Sequence, residues 1–468
     1  MKDFAKRCCG LLLALAVVGV GMSFPLPNDM PEAARACLVD LLFLITLWAG
    51  KVVPKPVAAV LATMMLYWLG AVDSFSTALE MYVSDIFFFL LAAFAIAAAV
   101  RKSPLPHRLL VWFIRHSRNS AKFLLLAFMV ITALISTVIS DLAACALFAS
   151  ILSPMLKRMP KDCKEARVFA KCVMMGIPMA ALAGGIMTPI GSPSNITLLG
   201  LLRDSTQVDV SFLGWMVVGV PWGALCLVMS WGALCVFCKP HITGDMAKVF
   251  CMDMGRNVKI TAPEIKLVVF MVGIFALWII QGVTGILSST QVAIIGMVIL
   301  FFPGMDLLDW NSYAEETPWD LVIMLGGVIA IGRALTSAGA IDWVVNSLLS
   351  GANGWSPLPY LAAVSAFIIV ERAFVPMAPP VTIAISPVFM VIALQLGLPP
   401  LCICLAVSTW CQITFLIPMF DACWLITYAE GYYELKDVIR FGWLLSLILL
   451  ALSLVLLPAL STVASALP

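Results

Sequence analysis

The amino-acid sequence predicts an all-α, polytopic membrane protein with about 11 transmembrane helices plus two re-entrant hairpins, set in two inverted repeats. Three observations predict this class. Hydrophobic residues make up 62% of the 468-residue chain and charged residues only 12%, where a soluble domain carries roughly half and roughly a quarter. Apolar runs of spanning length, roughly 20 residues, recur from one end to the other. The loops between them alternate in charge, and Lys and Arg gather on the cytoplasmic side of a membrane.

Composition also excludes several classes. The formal net charge is +2 and no basic patch stands apart from the loops, so no nucleic-acid partner is expected. The 14 cysteines lie mostly inside apolar runs (Cys145, Cys226, Cys402, Cys404), without pairs of zinc spacing, and read as small buried hydrophobes. No G-x-x-x-x-G-K-[ST] loop is present, so nucleotide binding is not expected either.

The first span is expected within "MKDFAKRCCGLLLALAVVGVGMSF", since no small-x-small cleavage site follows it. Further spans fall near 36–50, 55–72 and 84–100. Basic Lys2, Lys6, Arg7, then acidic "PNDMPEAAR", then "KVVPK", then acidic "VDSFSTALEMYVSD", then basic 101–122 put the N-terminus and residues 51–55 and 101–122 in the cytoplasm. Residues 121–157 are too long for one span, and Lys157, Arg158, Lys161, Lys164, Arg167 and Lys171 follow them. With both flanks cytoplasmic, the segment turns back within the membrane near Ser140 and Asp141. The plainer alternative is two short full spans joined by a tight outer turn. The next span, 168–202, is interrupted by "GGIMTPIGSPSNITLLG", whose prolines and glycines do not sustain a continuous helix. Spans at 211–238, 262–284 and 290–304 come next.

The second half repeats the order of parts. "TPWDLVIMLGGVIAIGRALTSAGAIDWVV" echoes "VSDIFFFLLAAFAIAAAVRKSPLPHRLLV", a long segment at 357–395 is broken at "RAFVPMAPPVT", and a span at 398–429 is broken at "LIPMFDACWL". Propagated orientation turns this copy upside down, with the C-terminus outside. The expected organisation is N-terminal scaffold helices at 1–80 and a first repeat at 81–240, with a cytoplasmic-side hairpin 121–157 and broken helix 168–202. Linker and scaffold helices follow at 241–310. The second inverted repeat takes 311–468, with an outer-side hairpin 357–395 and broken helix 398–429.

Inverted repeats with paired broken helices are the signature of a secondary transporter whose site lies near the bilayer midplane. At each break, free N–H groups suit an oxyanion and free carbonyls suit a small cation. Asp141 stands out, because a carboxylate at membrane depth costs roughly 2.5–3.5 kcal/mol on insertion scales. Ionised, it would tighten a sodium site and repel a dianion. Protonated, it would couple transport to protons. As an N-cap it would need neither role. Ser194 and Asn195 suit both capping and binding. Asp421, just past Pro418, is balanced between a solvated carboxylate and an ion ligand. Glu371 and Arg372 read as a structural pair or as snorkelling side chains, and Arg333 as an outer-end residue that also suits anions. Asp40 reads as part of the scaffold. His107, His116 and His241 lie in cytoplasmic loops. A cation/proton antiporter using Asp141 is the alternative within the same class. An intramembrane aspartyl hydrolase using Asp141 and Asp421 is the rival outside it, disfavoured by their dissimilar surroundings.

These motifs resemble the divalent anion/sodium symporter (DASS) family of the ion transporter superfamily, over about residues 80–465. "ISTVISDLAACALFASILSP" is similar to that family's first hairpin, "GGIMTPIGSPSNI" to its Gly-Thr-Pro-Pro-Asn unwound helix, and "VSFLGWMVVGVP" and "ELKDVIRFGW" to its approaches to each closing span. The resemblance implies a homodimer in the bacterial inner membrane, no catalytic residues, no cofactor beyond a coupling ion, Na+ or H+, and elevator-like transport of a di- or tricarboxylate or sulfate. Carried over by position, substrate binding falls to Ser140, Asp141, Ser194, Asn195, Pro379, Pro380 and Thr382. Ion binding falls to Ser140, Asp141, Thr188, Gly191, Ser192 and Asp421, with sodium at Ser140, Asp141 and Gly191. The second tip, about Met377-Ala378-Pro379, lacks the family's hydroxyls and amides apart from Thr382, so a second sodium site made of side chains is expected to be absent. At the first tip, Asp141 and Leu142 stand where the family has Asn and Thr.

Overall fold

The structure is a computed structural model that describes residues 2–26, 29–116, 120–159, 163–241, 261–350, 356–374, 378–413, 415 and 421–464. These residues are helical, without a strand among them. In chain order the helices are α1 (Lys2–Ser23), α2 (Glu32–Ala49), α3 (Lys55–Trp68), α4 (Phe75–Tyr82), α5 (Asp85–Lys102), α6 (Leu105–His116), α7 (Ala121–Ile139), α8 (Asp141–Lys157) and α9 (Lys164–Met187). A 3-10 turn (Pro189–Gly191) leads to α10 (Pro193–Thr206) and α11 (Phe212–Phe237). Then follow α12 (Ala262–Thr284), α13 (Ser289–Phe301), α14 (Trp310–Glu316), α15 (Trp319–Ser337), α16 (Ala340–Ser350), α17 (Pro357–Phe374), α18 (Ala378–Gln395), α19 (Pro400–Gln412), α20 (Ala422–Ala429) and α21 (Leu435–Ala464). Among the described residues, eight helices are long and apolar enough to cross a membrane.

Local chemistry fixes many of these ends. Helix N-termini leave N–H groups without intrahelical partners, and short polar side chains take them up. Ser74 accepts from Thr77 N, Ser211 from Gly214 N and Asp309 from Ser312 N. Thr261 with Glu264, and Ser288 with Gln291, form reciprocal capping boxes.

The chain divides into two compact units that interleave along the sequence. The first comprises residues 1–91, 196–210 and 318–411. Inside it α2 packs against α1, α3, α15 and α16, and α17 packs against α18. Gly327 lets α15 close on α3, since a Cβ there would lie 2.7 Å from that of Ala59 and 2.9 Å from its carbonyl oxygen. Ion pairs join the ends of its helices: Arg203 to Asp85 at 2.7 Å and Arg333 to Asp204 at 3.2 Å. Arg333 is therefore committed to a carboxylate of the protein.

The second unit comprises residues 92–195, 211–317 and 412–468. Its centre is α9, against which α7, α8, α11 and α20 pack. Gly184 makes the α7–α9 contact possible: a Cβ there would sit 2.2 Å from the Ala133 carbonyl oxygen. Ion pairs of this unit include Arg101–Glu316 at 2.8 Å, Lys171–Asp437 at 2.7 Å and Lys157–Glu430 at 3.0 Å.

Candidate functional site

Two chain interruptions meet in the second unit. The first is a single residue, Ser140, between α7 and α8. Its φ of 73° and ψ of 150° lie in a region that only glycine enters without cost. Its hydroxyl accepts from Ala143 N at 3.5 Å and its carbonyl from Ala144 N at 2.9 Å. Asp141 opens α8 and accepts from Leu142 N at 2.7 Å. Both residues are half-buried.

The second interruption ends α9 at Met187 and resumes helix at Pro193. The last carbonyls of a helix have no intrahelical donor, and here side chains supply one. Asn195, wholly buried, donates through Nδ2 to Gly185 O at 2.7 Å and to Thr188 O at 2.9 Å. Trp215 Nε1, reaching from α11, donates to Ile186 O at 2.9 Å. Thr188 accepts from Gly191 N at 3.0 Å and donates to Thr137 O on α7, tying the turn to the first interruption. Several backbone groups of the unwound stretch are thus bonded by side chains, which makes it a built element.

Close packing brings the two together. A Cβ on Gly185 would lie 3.1 Å from that of Asp141, 2.9 Å from Gln412 Oε1 and 3.2 Å from Gly191 O, and a Cβ on Gly191 would lie 2.6 Å from Gly185 O. Gln412, at the end of α19, donates through Nε2 to Asn195 Oδ1 at 3.1 Å. The buried Ser192 hydroxyl bonds the Asp141 carboxylate, and Asp421 lies near enough to act on that carboxylate electrostatically. Asp421 caps α20 by accepting from Cys423 N at 2.8 Å. Cys145 Sγ of α8 donates to Cys423 O at 3.3 Å, holding α20 against the hairpin arm.

Of the residues singled out from sequence, Ser140, Asp141, Thr188, Gly191, Ser192, Asn195 and Asp421 therefore share one neighbourhood, with Ser194 half-buried in the first turn of α10. Pro379, Pro380 and Thr382 belong to the first unit, at the start of α18. There the buried Thr382 hydroxyl donates to Glu371 Oε2 at 2.6 Å. Arg372 is 4% exposed, which corrects the snorkelling alternative for that side chain. Met377 of the second tip and residues 418–420 lie outside the described residues.

Sequence reasoning missed Gln412, Gly185 and Trp215. A glutamine ending an apolar run directly before a break ("WCQITFLIPMFD") and a glycine pair before "MTP" were the available signals. It also passed over Asp40, which is wholly buried.

Comparison with known proteins agrees with this architecture. Residues 5–462 match the family described as the sodium:sulfate symporter transmembrane region. The sodium-dependent dicarboxylate transporter SdcS of Staphylococcus aureus (strain USA300) is 24% identical over 471 residues, covering 95% of this chain and 89% of that one. An uncharacterised transporter of Haemophilus influenzae is 22% identical over 463 residues, covering 96% of each. Among solved structures, the Alcanivorax borkumensis YdaH transporter aligns with a TM-score of 0.55 at 13% identity, over 92% of this chain and 98% of that one. MtrF of Neisseria gonorrhoeae aligns with a TM-score of 0.55 at 12% identity, over 99% and 95%. At such identities the structural likeness speaks for the fold alone. With the family matched across nearly its whole length, the chain belongs to the sodium:sulfate symporter (DASS) family, and it is an integral membrane transporter rather than an enzyme.

Proposed function

We propose that this protein moves a small organic anion, a di- or tricarboxylate, across the membrane together with sodium. An elevator-type movement of a homodimer in the bacterial inner membrane is part of the same reading. One observation carries it: three helix ends bring the carboxylates of Asp141 and Asp421 to one place, beside a carbonyl-rich turn kept open by Asn195 and Trp215. Two neighbouring carboxylates repel each other unless a cation or a proton lies with them. Broken-helix carbonyls are the usual sodium ligands in carriers of this kind. This neighbourhood is therefore the cation site, with Ser140, Asp141, Thr188, Gly191, Ser192 and Asp421 as its residues.

The same charges set an order. A dianion approaching Asp141 and Asp421 is repelled until a cation neutralises them, so the cation binds first. Substrate contacts fall to the half-buried polar groups beside the cluster, Ser140 and Ser194, with Asn195, wholly buried and bonded at both ends of its amide, holding the frame behind them. The name of the staphylococcal relatives supports sodium and a dicarboxylate as the pair.

Uptake of labelled succinate into proteoliposomes, with sodium and proton gradients imposed separately, tests the reading. Sodium-driven uptake is expected, with Asp141→Asn lowering apparent sodium affinity at least tenfold. Unchanged sodium dependence in that variant removes Asp141 from the ion site. The carboxylate pair also favours a second reading, a cation/proton antiporter, for which the readout is pH-dependent sodium flux in the absence of any organic anion.

A further inference from the structure

In the first unit, Asp40 lies midway along α2, in "EAARACLVDLLFLITLWA". Its exposure is 0%, and neither carboxylate oxygen has a hydrogen-bond partner among the described residues. This is unusual, because a buried charge without a partner costs several kcal/mol and most buried polar groups are bonded.

Among the described residues, the helices packed on α2 supply no counter-ion. On α1, Gly21 packs against Val39 and Gly10 against Gly50. The titratable Lys6, Arg7, Cys8 and Cys9 therefore lie toward the opposite end of α2 from Glu32, roughly 15 Å or more along the axis from Asp40. On α3, Trp48 Nε1 donates to Lys55 O, so Lys55 is beside the end of α2, where Asp320 of α15 acts on it. Tyr67 is exposed. Arg333 of α15 is held by Asp204. On α16, Asp342 follows Gly339, which faces Pro31 before the start of α2. On α2 itself, Arg35 donates to Phe24 O at 3.1 Å, and Glu32 stands in the first turn. Cys37, one turn earlier, is the titratable neighbour within reach.

We propose that Asp40 is a proton-binding site of the first unit, separate from the cluster around Asp141. The proton neutralises a carboxylate for which the described residues of the surrounding helices provide no partner, and its release requires α2 to expose Asp40 to water or to a cation. Proton occupancy is thereby coupled to the packing of α2.

The test uses the purified full chain and needs no transport substrate, so it is independent of the dicarboxylate reading. Infrared spectra should contain the carbonyl band of a protonated carboxyl that is lost in Asp40→Asn. Thermal unfolding adds a second readout. The unfolded chain releases this proton above about pH 3.9, whereas the folded chain keeps it. Each pH unit upward then lowers the folding equilibrium constant by up to tenfold, a slope that Asp40→Asn removes and Asp141→Asn leaves in place. Asp40→Glu, which retains the carboxyl, should keep the slope should the asparagine variant fail to fold. A band and a pH slope that persist unchanged in Asp40→Asn, or a wild-type spectrum lacking the band, overturn the proposal.

Discussion

Asn195 offers the most direct probe of the break between α9 and α10. Its side chain donates two hydrogen bonds, to Gly185 O and Thr188 O, and accepts a third from Gln412. Each such bond contributes roughly 1 kcal/mol net, so Asn195→Ala should cost about 3 kcal/mol. Asn195→Asp conserves size but is expected to be worse. The carboxylate still accepts from Gln412, yet it places oxygen against two carbonyl oxygens at the 2.7 and 2.9 Å positions of the lost donors. Ionised, it is also a buried charge without a counter-ion, which costs several kcal/mol more. Thermal unfolding of detergent-purified protein, followed by tryptophan fluorescence, reads the order. A loss of about 3 kcal/mol corresponds to roughly 5–10 °C in a unit of this size. An aspartate variant as stable as wild type, or more stable than the alanine variant, refutes the idea that Asn195 serves as a donor to the end of α9.

Other perturbations separate neighbouring roles. Gly191→Ala drives a Cβ to 2.6 Å from the Gly185 carbonyl oxygen and should abolish uptake, whereas Gly232→Ala, with open space around it, should gain about 0.5–1 kcal/mol of helix stability; equal melting points for the two would count against the packing argument. Ser140→Gly relieves a backbone conformation costing roughly 1–3 kcal/mol while losing only a marginal 3.5 Å cap, so its melting temperature should hold or rise, and Ser140→Val should lower it. Glu430, outside the spans, is held below the ordinary glutamate range by the Ser153 hydroxyl and by the Lys157 ammonium at 3.0 Å. Its contribution, under about 1 kcal/mol for so accessible a pair, is present above the usual glutamate value near 4.3 and is lost as pH falls through the lowered one. The melting-point difference between wild type and Glu430→Gln should therefore be visible at pH 7 and vanish in acid.

The helices were legible because spanning length, flanking charge and helix breakers act locally. "GGIMTPIGSPSN" announced the break, and α9 stops at Met187 just before Thr188-Pro189. Ser140 was legible as a turn only through the charge of its distant flanks, since nothing in "TVISDLAA" dictates a φ of 73°. Trp215 gave no signal in the sequence, and Gln412 only the weak one of a polar residue ending an apolar run. Their roles arise from Trp215 reaching the Ile186 carbonyl and Gln412 the Asn195 amide, long-range facts that no local pattern encodes. The position of Asp40 in the chain suggests scaffold; its lack of partners among the described residues around it is a fact that only packing reveals.

Capping and ion binding at Asp141 are not rival explanations. Asp141 Oδ1 takes the Leu142 N–H, and Asp421 Oδ1 takes the Cys423 N–H. Each carboxylate therefore finishes a helix through one amide hydrogen bond, which is compatible with a second role in holding a cation. Asparagine retains the acceptor and discards the charge, and alanine discards both. If Asp141 were only a cap, the asparagine variant would match wild type in stability and sodium affinity, and alanine alone would differ. If it is also an ion ligand, asparagine keeps the melting temperature yet loses sodium affinity, because the repulsion between the two carboxylates that a bound cation relieves would already be gone.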